Sequence, residues 1–129
     1  MNDEMLVLQL DESHGAVIKN HEFANYSALK MIDLPRGIQR IEDYAFYRCL
    51  ALEEIHLYAG IQSLGCGAFM GCKKLKKIVI KDVEDDIYFL TEILYDFQYE
   101  VEVELYYKNG TEVKLTFPEY YEESVENTP

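Results

Sequence analysis

Three cysteines, three histidines and a large stock of carboxylates are the groups in this chain that could do chemistry. Cys49 and Cys72 stand one repeat length apart, and two thiolates are the beginning of a zinc site. No C-x-x-C or H-E-x-x-H accompanies them, and His14, His21 and His56 keep no ligand spacing. Small buried hydrophobes are the simpler reading of cysteines that recur at one spacing. An odd number of cysteines cannot all pair within one chain, which fits a reducing compartment. Cys66 is expected near the surface, with no fixed basic group beside it to make it reactive. There is no Gly-rich phosphate loop and no G-x-S-x-G. With no nucleophile, acid–base pair or ligand set to name, neither catalysis nor a cofactor is expected.

The carboxylates are unevenly placed. Residues 1–80 carry ten acids against nine bases, whereas residues 81–129 carry fourteen acids against Lys81, Lys108 and Lys114. Nearly all of the net charge of −12 therefore lies after Ile80. Such a field repels nucleic acid and anionic membrane and draws basic partners. Glu100, Glu102 and Glu104 form a row at alternate positions, next to Tyr106. A solvated strand face is the bland reading of that row. The functional reading is a surface for a basic protein, favoured by seven tyrosines after residue 80, since tyrosine is enriched in binding surfaces.

What must position these groups is a repeat. GIQRIEDYAFYRCLALEEIHL from Gly37 aligns with GIQSLGCGAFMGCKKLKKIVI from Gly60, every match at the same offset as Gly37 from Gly60. Ile41 matches Leu64, Ala45-Phe46 matches Ala68-Phe69, and Cys49 matches Cys72. Leu52, Ile55 and Leu57 match Leu75, Ile78 and Ile80. A weaker copy runs through Ile18, Phe23, Tyr26, Leu29, Ile32 and Leu34, and a weaker start lies in Leu6, Leu8 and Leu10, one residue out of register. Ala45, Phe46, Cys49 and Leu52 fall at steps of about three, which predicts a short helix in each unit. Ile55 and Leu57 alternate as a strand does, and Gly37 and Gly60 mark turns. One unit cannot bury its own apolar face, so the units must stack into a coil. On its strand surface two ladders are expected to cross the units: Met31, Glu54 and Lys77, then Asp33, His56 and Val79.

These two full copies in register resemble the BspA-like leucine-rich repeat family, with its I-x-x-I-x-x-x-A-F-x-x-C-x-x-L-x-x-I-x-L/I pattern, over roughly residues 18–80. The resemblance implies an α/β repeat solenoid, a leucine-rich repeat coil of short parallel strands and short helices. Family members are commonly long, secreted or cell-surface binding proteins. This chain is short, and its acidic C-terminal region is foreign to the repeat. Its N-terminus, MNDEMLVLQL, has acids rather than a basic leader before a short apolar stretch. A cytoplasmic address is expected on that ground.

After Ile80 the pattern changes. Val83, Ile87, Leu90, Leu94 and Phe97 predict a helix, with Asp82 as its cap. Residues 99–107 and 111–117 alternate apolar and polar, which predicts a hairpin. A three-residue loop of Lys108, Asn109 and Gly110 sets Leu105 opposite Val113, Val103 opposite Leu115, Val101 opposite Phe117 and Glu104 opposite Lys114, with Gly110 left-handed. The expected organisation is a repeat region with its N-terminal cap over 1–82, an acidic helix–hairpin cap over 83–117 and an acidic tail over 118–129. The expected function is non-catalytic protein binding, through the strand face, the acidic cap or both. Its candidate contacts are Asp33, Glu54, His56, Lys77, Glu100, Glu102, Glu104 and Tyr106. The alternatives are a small acidic inhibitor that blocks a basic nucleic-acid-binding protein by phosphate mimicry, and an enzyme with an unrecognised site.

Overall fold

The computed structural model describes residues 6–84, 87, 94 and 100–117. Among these residues, strands β1 (Leu6–Gln9), β3 (Leu29–Asp33), β5 (Glu54–Tyr58), β7 (Lys77–Val83), β8 (Val101–Tyr107) and β9 (Glu112–Phe117) form one sheet in that order. A second, narrower sheet joins β2 (Val17–Ile18), β4 (Arg40–Ile41) and β6 (Ser63–Leu64). All neighbours are parallel except β8 and β9. Each turn of the chain thus lays down one long strand, one very short strand and one A-F turn, and the next turn stacks on it one repeat later.

The register follows the repeat. Ile32 pairs with Ile55 and Ile55 with Ile78, while Ile18 pairs with Ile41 and Ile41 with Leu64. β1 is offset by one: Leu8 lies beside Ile32 and Gln9 beside Asp33, after an irregularity at Leu6 and Val7. The out-of-step leucines at the start of the sequence had the same shift.

The short helices expected in each unit are not formed. Among the described residues, helical geometry is limited to one 3-10 turn at Glu12–His14 and to Leu94. The A-F segments are chains of turns instead, and their backbone shows why. Tyr44 and Arg48 have φ near +57°, Gly67 and Gly71 have φ of 64° and 83°, and His21 and Asn25 have φ of 57° and 65°. These left-handed positions recur at the same place in each repeat and interrupt any right-handed helix. They also turn N–H groups toward the next coil. Phe23 and Asn25 donate to the carbonyls of Ala45 and Tyr47 at 2.8 Å, and Phe46 and Arg48 to those of Ala68 and Met70 at 2.8 Å. A donor used between coils is lost to an i→i−4 ladder. The steps of about three in the sequence came from apolar residues pointing inward from successive turns.

The core is a set of columns running through the stack. Phe23, Phe46 and Phe69 are stacked, with ring centroids 5.5 and 5.1 Å apart and planes within 11°. That separation is close to the spacing of neighbouring strands, ~4.7–4.9 Å, because each ring occupies the same place in its coil. Such pairs add ~0.5–1.5 kcal/mol beyond the apolar area they bury. Cys49 and Cys72 face inward, and their thiols donate to the carbonyls of Phe23 at 3.3 Å and Phe46 at 3.2 Å. In the first coil this column holds Tyr26, which meets Phe23 edge-on and is half exposed.

Beyond the repeat, β8 pairs in parallel with β7, setting Lys77 beside Glu102, Ile78 beside Val103 and Val79 beside Glu104. The hairpin has the expected register and loop: Leu105 faces Val113, Val103 faces Leu115 and Val101 faces Phe117. Gly110 has φ of 94°, and the Asn109 side chain accepts from the Thr111 N–H at 2.9 Å. The start of the expected C-terminal helix does not form, because Asp82 and Val83 are the last residues of β7. Asp82 sits at a bulge with φ of 59°, and its carboxylate pairs with Arg36 rather than capping a helix. Ile87 and Leu94 pack against the core. The other residues of the helix stripe, and the tail over 118–129, lie outside the described residues.

Candidate functional site

The outward face of the large sheet carries the polar groups. Because strand side chains alternate, every second residue of β3, β5, β7 and β8 points to this face. One row runs Met31, Glu54, Lys77, Glu102; the next runs Asp33, His56, Val79, Glu104. β9 extends them with Thr116 and Lys114. The parallel pairing of β7 with β8 therefore merges two surfaces that the sequence presented as separate, the repeat face and the acidic cap. Seven of the eight candidate residues lie on this one face, and Glu100 is exposed immediately before β8.

Several of these polar groups are paired with one another. The His56 imidazole and the Glu54 carboxylate are 2.5 Å apart. Tyr106 donates its hydroxyl to Glu104 at 2.7 Å, and the Lys77 ammonium is 3.3 Å from the same carboxylate. Glu104 was expected as an open, outward charge. It is instead 8% exposed, the one buried charged residue among those described. The reason is its place between Lys77, Tyr106 and the cross-strand Lys114. The Tyr106 hydroxyl and the Lys77 ammonium hold the Glu104 carboxyl below its ordinary value. In return, Glu104 pushes Tyr106 up to about 12 and raises Lys77.

These shifts have a testable sign. The folded state favours ionised Glu104, so its contribution is present above the unfolded carboxyl value of ~4.3 and is lost as pH falls through the depressed folded value. The folded state also favours neutral Tyr106, so that contribution is complete below ~10 and disappears as pH rises through about 12. Glu104→Gln should flatten the acid limb of a stability–pH curve from denaturant titrations. Tyr106→Phe should remove one late phenolate step near pH 12 from an ultraviolet titration. An unchanged acid limb or an unchanged late step would discard the network.

Beside this network lies an open groove of about 460 Å³, lined by Glu54, His56, Val79, Lys81, Glu104 and Tyr106 among others. Lys81 and Asp82, which both line the groove, belong to a clamp that reasoning from the sequence missed. Arg36 reaches across two coils to Asp82 at 2.6 Å and lies 4.6 Å over the Tyr58 ring, with the Lys81 ammonium 5.2 Å from the same ring. The Arg36 guanidinium holds the Asp82 carboxyl low. Arg36 and Asp82 are separated by twice the repeat length, and that doubled offset was the available signal.

The Tyr106 hydroxyl is poorly set for acid–base chemistry. A general acid or base works best with a pKa near the working pH. Tyr106, the groove's hydroxyl, is pushed the other way by Glu104. Among the described residues, no His, Cys, Asp or Glu cluster is arranged to hold a metal. What the groove offers is hydrogen-bond donors and acceptors of both signs, fixed by neighbouring strands.

A coil of parallel strands with a constant offset between turns, A-F turns and a cysteine column defines a leucine-rich repeat solenoid. The family described as BspA type leucine rich repeat region (6 copies) matches residues 11–98. The chain belongs to that family. Comparison with curated proteins and with solved structures gave no match.

Proposed function

We propose that this protein is a non-catalytic binding module whose protein partner docks on the outward face of the large sheet, across β3, β5, β7 and β8. The observation that carries the reading is the continuity of that face, where Asp33, His56 and Glu54 from the repeats stand in register with Glu102 and Glu104 from the hairpin. A rigid array of strands holds these side chains without the entropy cost of ordering a loop on binding. Membership of a repeat family built from stacked coils supports a scaffold role. The partner is basic where it meets the hairpin, because Glu100 and Glu102 remain exposed there while Glu104 is neutralised by Lys77. Phosphate mimicry is the weaker reading, because Lys77, His56 and Lys81 interrupt the row of carboxylates that it requires.

The test is co-purification from native lysate at low and high salt, followed by two variants. Glu100→Gln with Glu102→Gln removes exposed charge and should slow association and flatten its salt dependence. Asp33→Ala with His56→Ala changes the repeat half of the face and should speed dissociation. A continuous face requires both variants to weaken binding of the same partner. Loss from only one would divide the face again and reduce the other half to a solvated surface.

A further inference from the structure

The two edges of the large sheet are finished differently. β9, at the C-terminal edge, exposes Glu112, Lys114 and Thr116, a polar border of the kind that keeps strand edges from pairing. β1, at the N-terminal edge, pairs among the described residues only with β3 and exposes Leu6 (49%) and Val7 (48%). It carries no proline, lysine or inward charge over Leu6–Gln9. The Leu10 N–H donates to the Asp33 carbonyl, toward β3. By the alternation of a strand, the N–H and C=O groups of Gln9 and Val7 are aimed away from β3, at the open side. The edge thus combines outward backbone groups with exposed apolar side chains.

The chain on either side of the strand is acidic in sequence. Asp11 and Glu12 follow the strand and are exposed, and the sequence sets Asp3 and Glu4 just before it, with no lysine or arginine until Lys19. Each copy carries Asp11 and Glu12 at this edge, so two edges brought together would add like charge. That like charge disfavours a second copy as the occupant and favours a basic one.

We infer that the β1 edge is a second binding site, which accepts an extended segment of a partner protein as an added strand, its apolar residues flanked by lysine or arginine. Main-chain hydrogen bonds to Val7 and Gln9 supply the affinity, and the flanking bases against Asp11 and Glu12 select the partner. This site adjoins the repeat half of the outward face, where Gln9 lies beside Asp33, and is remote in sheet order from the hairpin half.

The probe is a short synthetic peptide of alternating valine and threonine with a lysine pair at each end, labelled for fluorescence anisotropy against the full chain. Its binding does not involve the hairpin half of the outward face, four strands away, so Glu100→Gln with Glu102→Gln should leave it unchanged. Gln9→Pro removes a donor aimed at the open side, where an edge strand tolerates proline, and should weaken binding on the order of tenfold or more. Val7→Lys keeps the backbone and should act likewise, which guards against a folding defect in the proline variant. A peptide flanked by glutamates should bind at least about tenfold more weakly than the lysine form. Equal binding by both peptides, no binding of the lysine peptide, or no loss in Val7→Lys would each overturn the site. A dimer in sedimentation that Val7→Lys dissolves would give the edge to a second copy and overturn the charge argument.

Discussion

Phe46→Ala should lower stability by about 3–5 kcal/mol, the usual cost of truncating a buried core aromatic. Phe46 is fully buried and stacks on Phe23 on one side and Phe69 on the other. Removing its ring opens a void in the middle of the column and deprives both neighbours of a face. Small domains have only ~5–15 kcal/mol in total, so the variant should be marginal at room temperature. With a urea slope of ~2 kcal/mol per molar, the midpoint should fall by ~1.5–2.5 M. Phe69→Ala should also be costly. Phe23→Ala should cost less, since Phe23 ends the column and keeps some exposure. Equal midpoints for Phe23→Ala and Phe46→Ala would show that the column does not act as stacked layers.

The second large effect is expected at a residue with no side chain. A methyl group on Gly65 would collide with the Asp43 backbone nitrogen and meet the Glu42 carbonyl carbon at 2.5 Å. Both are backbone atoms of the preceding coil, fixed by bonds such as Gly65 N–H to the Ile41 carbonyl at 2.7 Å. Gly65→Ala must therefore push two coils apart, at about 1–3 kcal/mol or more, and Gly65→Val further still. Gly60 is the matched control, because a methyl there meets nothing within 4 Å and its φ is not left-handed. Gly60→Ala should be neutral or stabilising by up to about 1 kcal/mol. Similar melting curves for Gly65→Ala and Gly60→Ala would remove the close approach at Gly65.

The contrast between those glycines shows where the sequence was legible. Matched residues at a fixed offset revealed the stack, the phenylalanine column and the strand register, since a repeating chain must place equal residues in equal surroundings. Gly37 and Gly60 were visible because they recur; Gly65 was not, as its counterpart in the previous coil is Glu42. The helices were misread because inward apolar residues at steps of about three arise from turns as well as from helices, and the φ values that separate the two leave no trace in hydrophobicity. Tyr44 and Arg48 occupy left-handed positions that Gly67 and Gly71 fill one coil later, so two glycines at that spacing were a hint of turns. β2, β4 and β6 are each a single pair of residues, too short to show alternation.

The site was legible by residue and not by partner. Strand alternation picked out Glu54, His56, Lys77 and Glu104 as outward-facing. The contact between Lys77 and Glu104 depends on β8 lying next to β7, and there the offset departs from that of the repeat, as in the pairing of Lys77 with Glu102. No repeat reports that step. Setting Lys77-Ile-Val-Ile80 against Glu102-Val-Glu-Leu105 would have matched the two alternations and brought the carboxylate to the ammonium.

The constant offset between coils also bears on how the chain folds. Each contact from one repeat to the next closes a loop of about the same length, whichever pair of coils makes it. The entropic cost of closure grows only with the logarithm of loop length, so no coil in the stack waits on a much more expensive closure than any other. Once two coils are in place, their strands offer a template, and each further coil adds at a similar barrier. Order should spread outward from a central pair, Phe46 and Phe69 among its first contacts, and melt back from the ends. Amide exchange would register that as protection highest in β5 and β7 and declining toward β1.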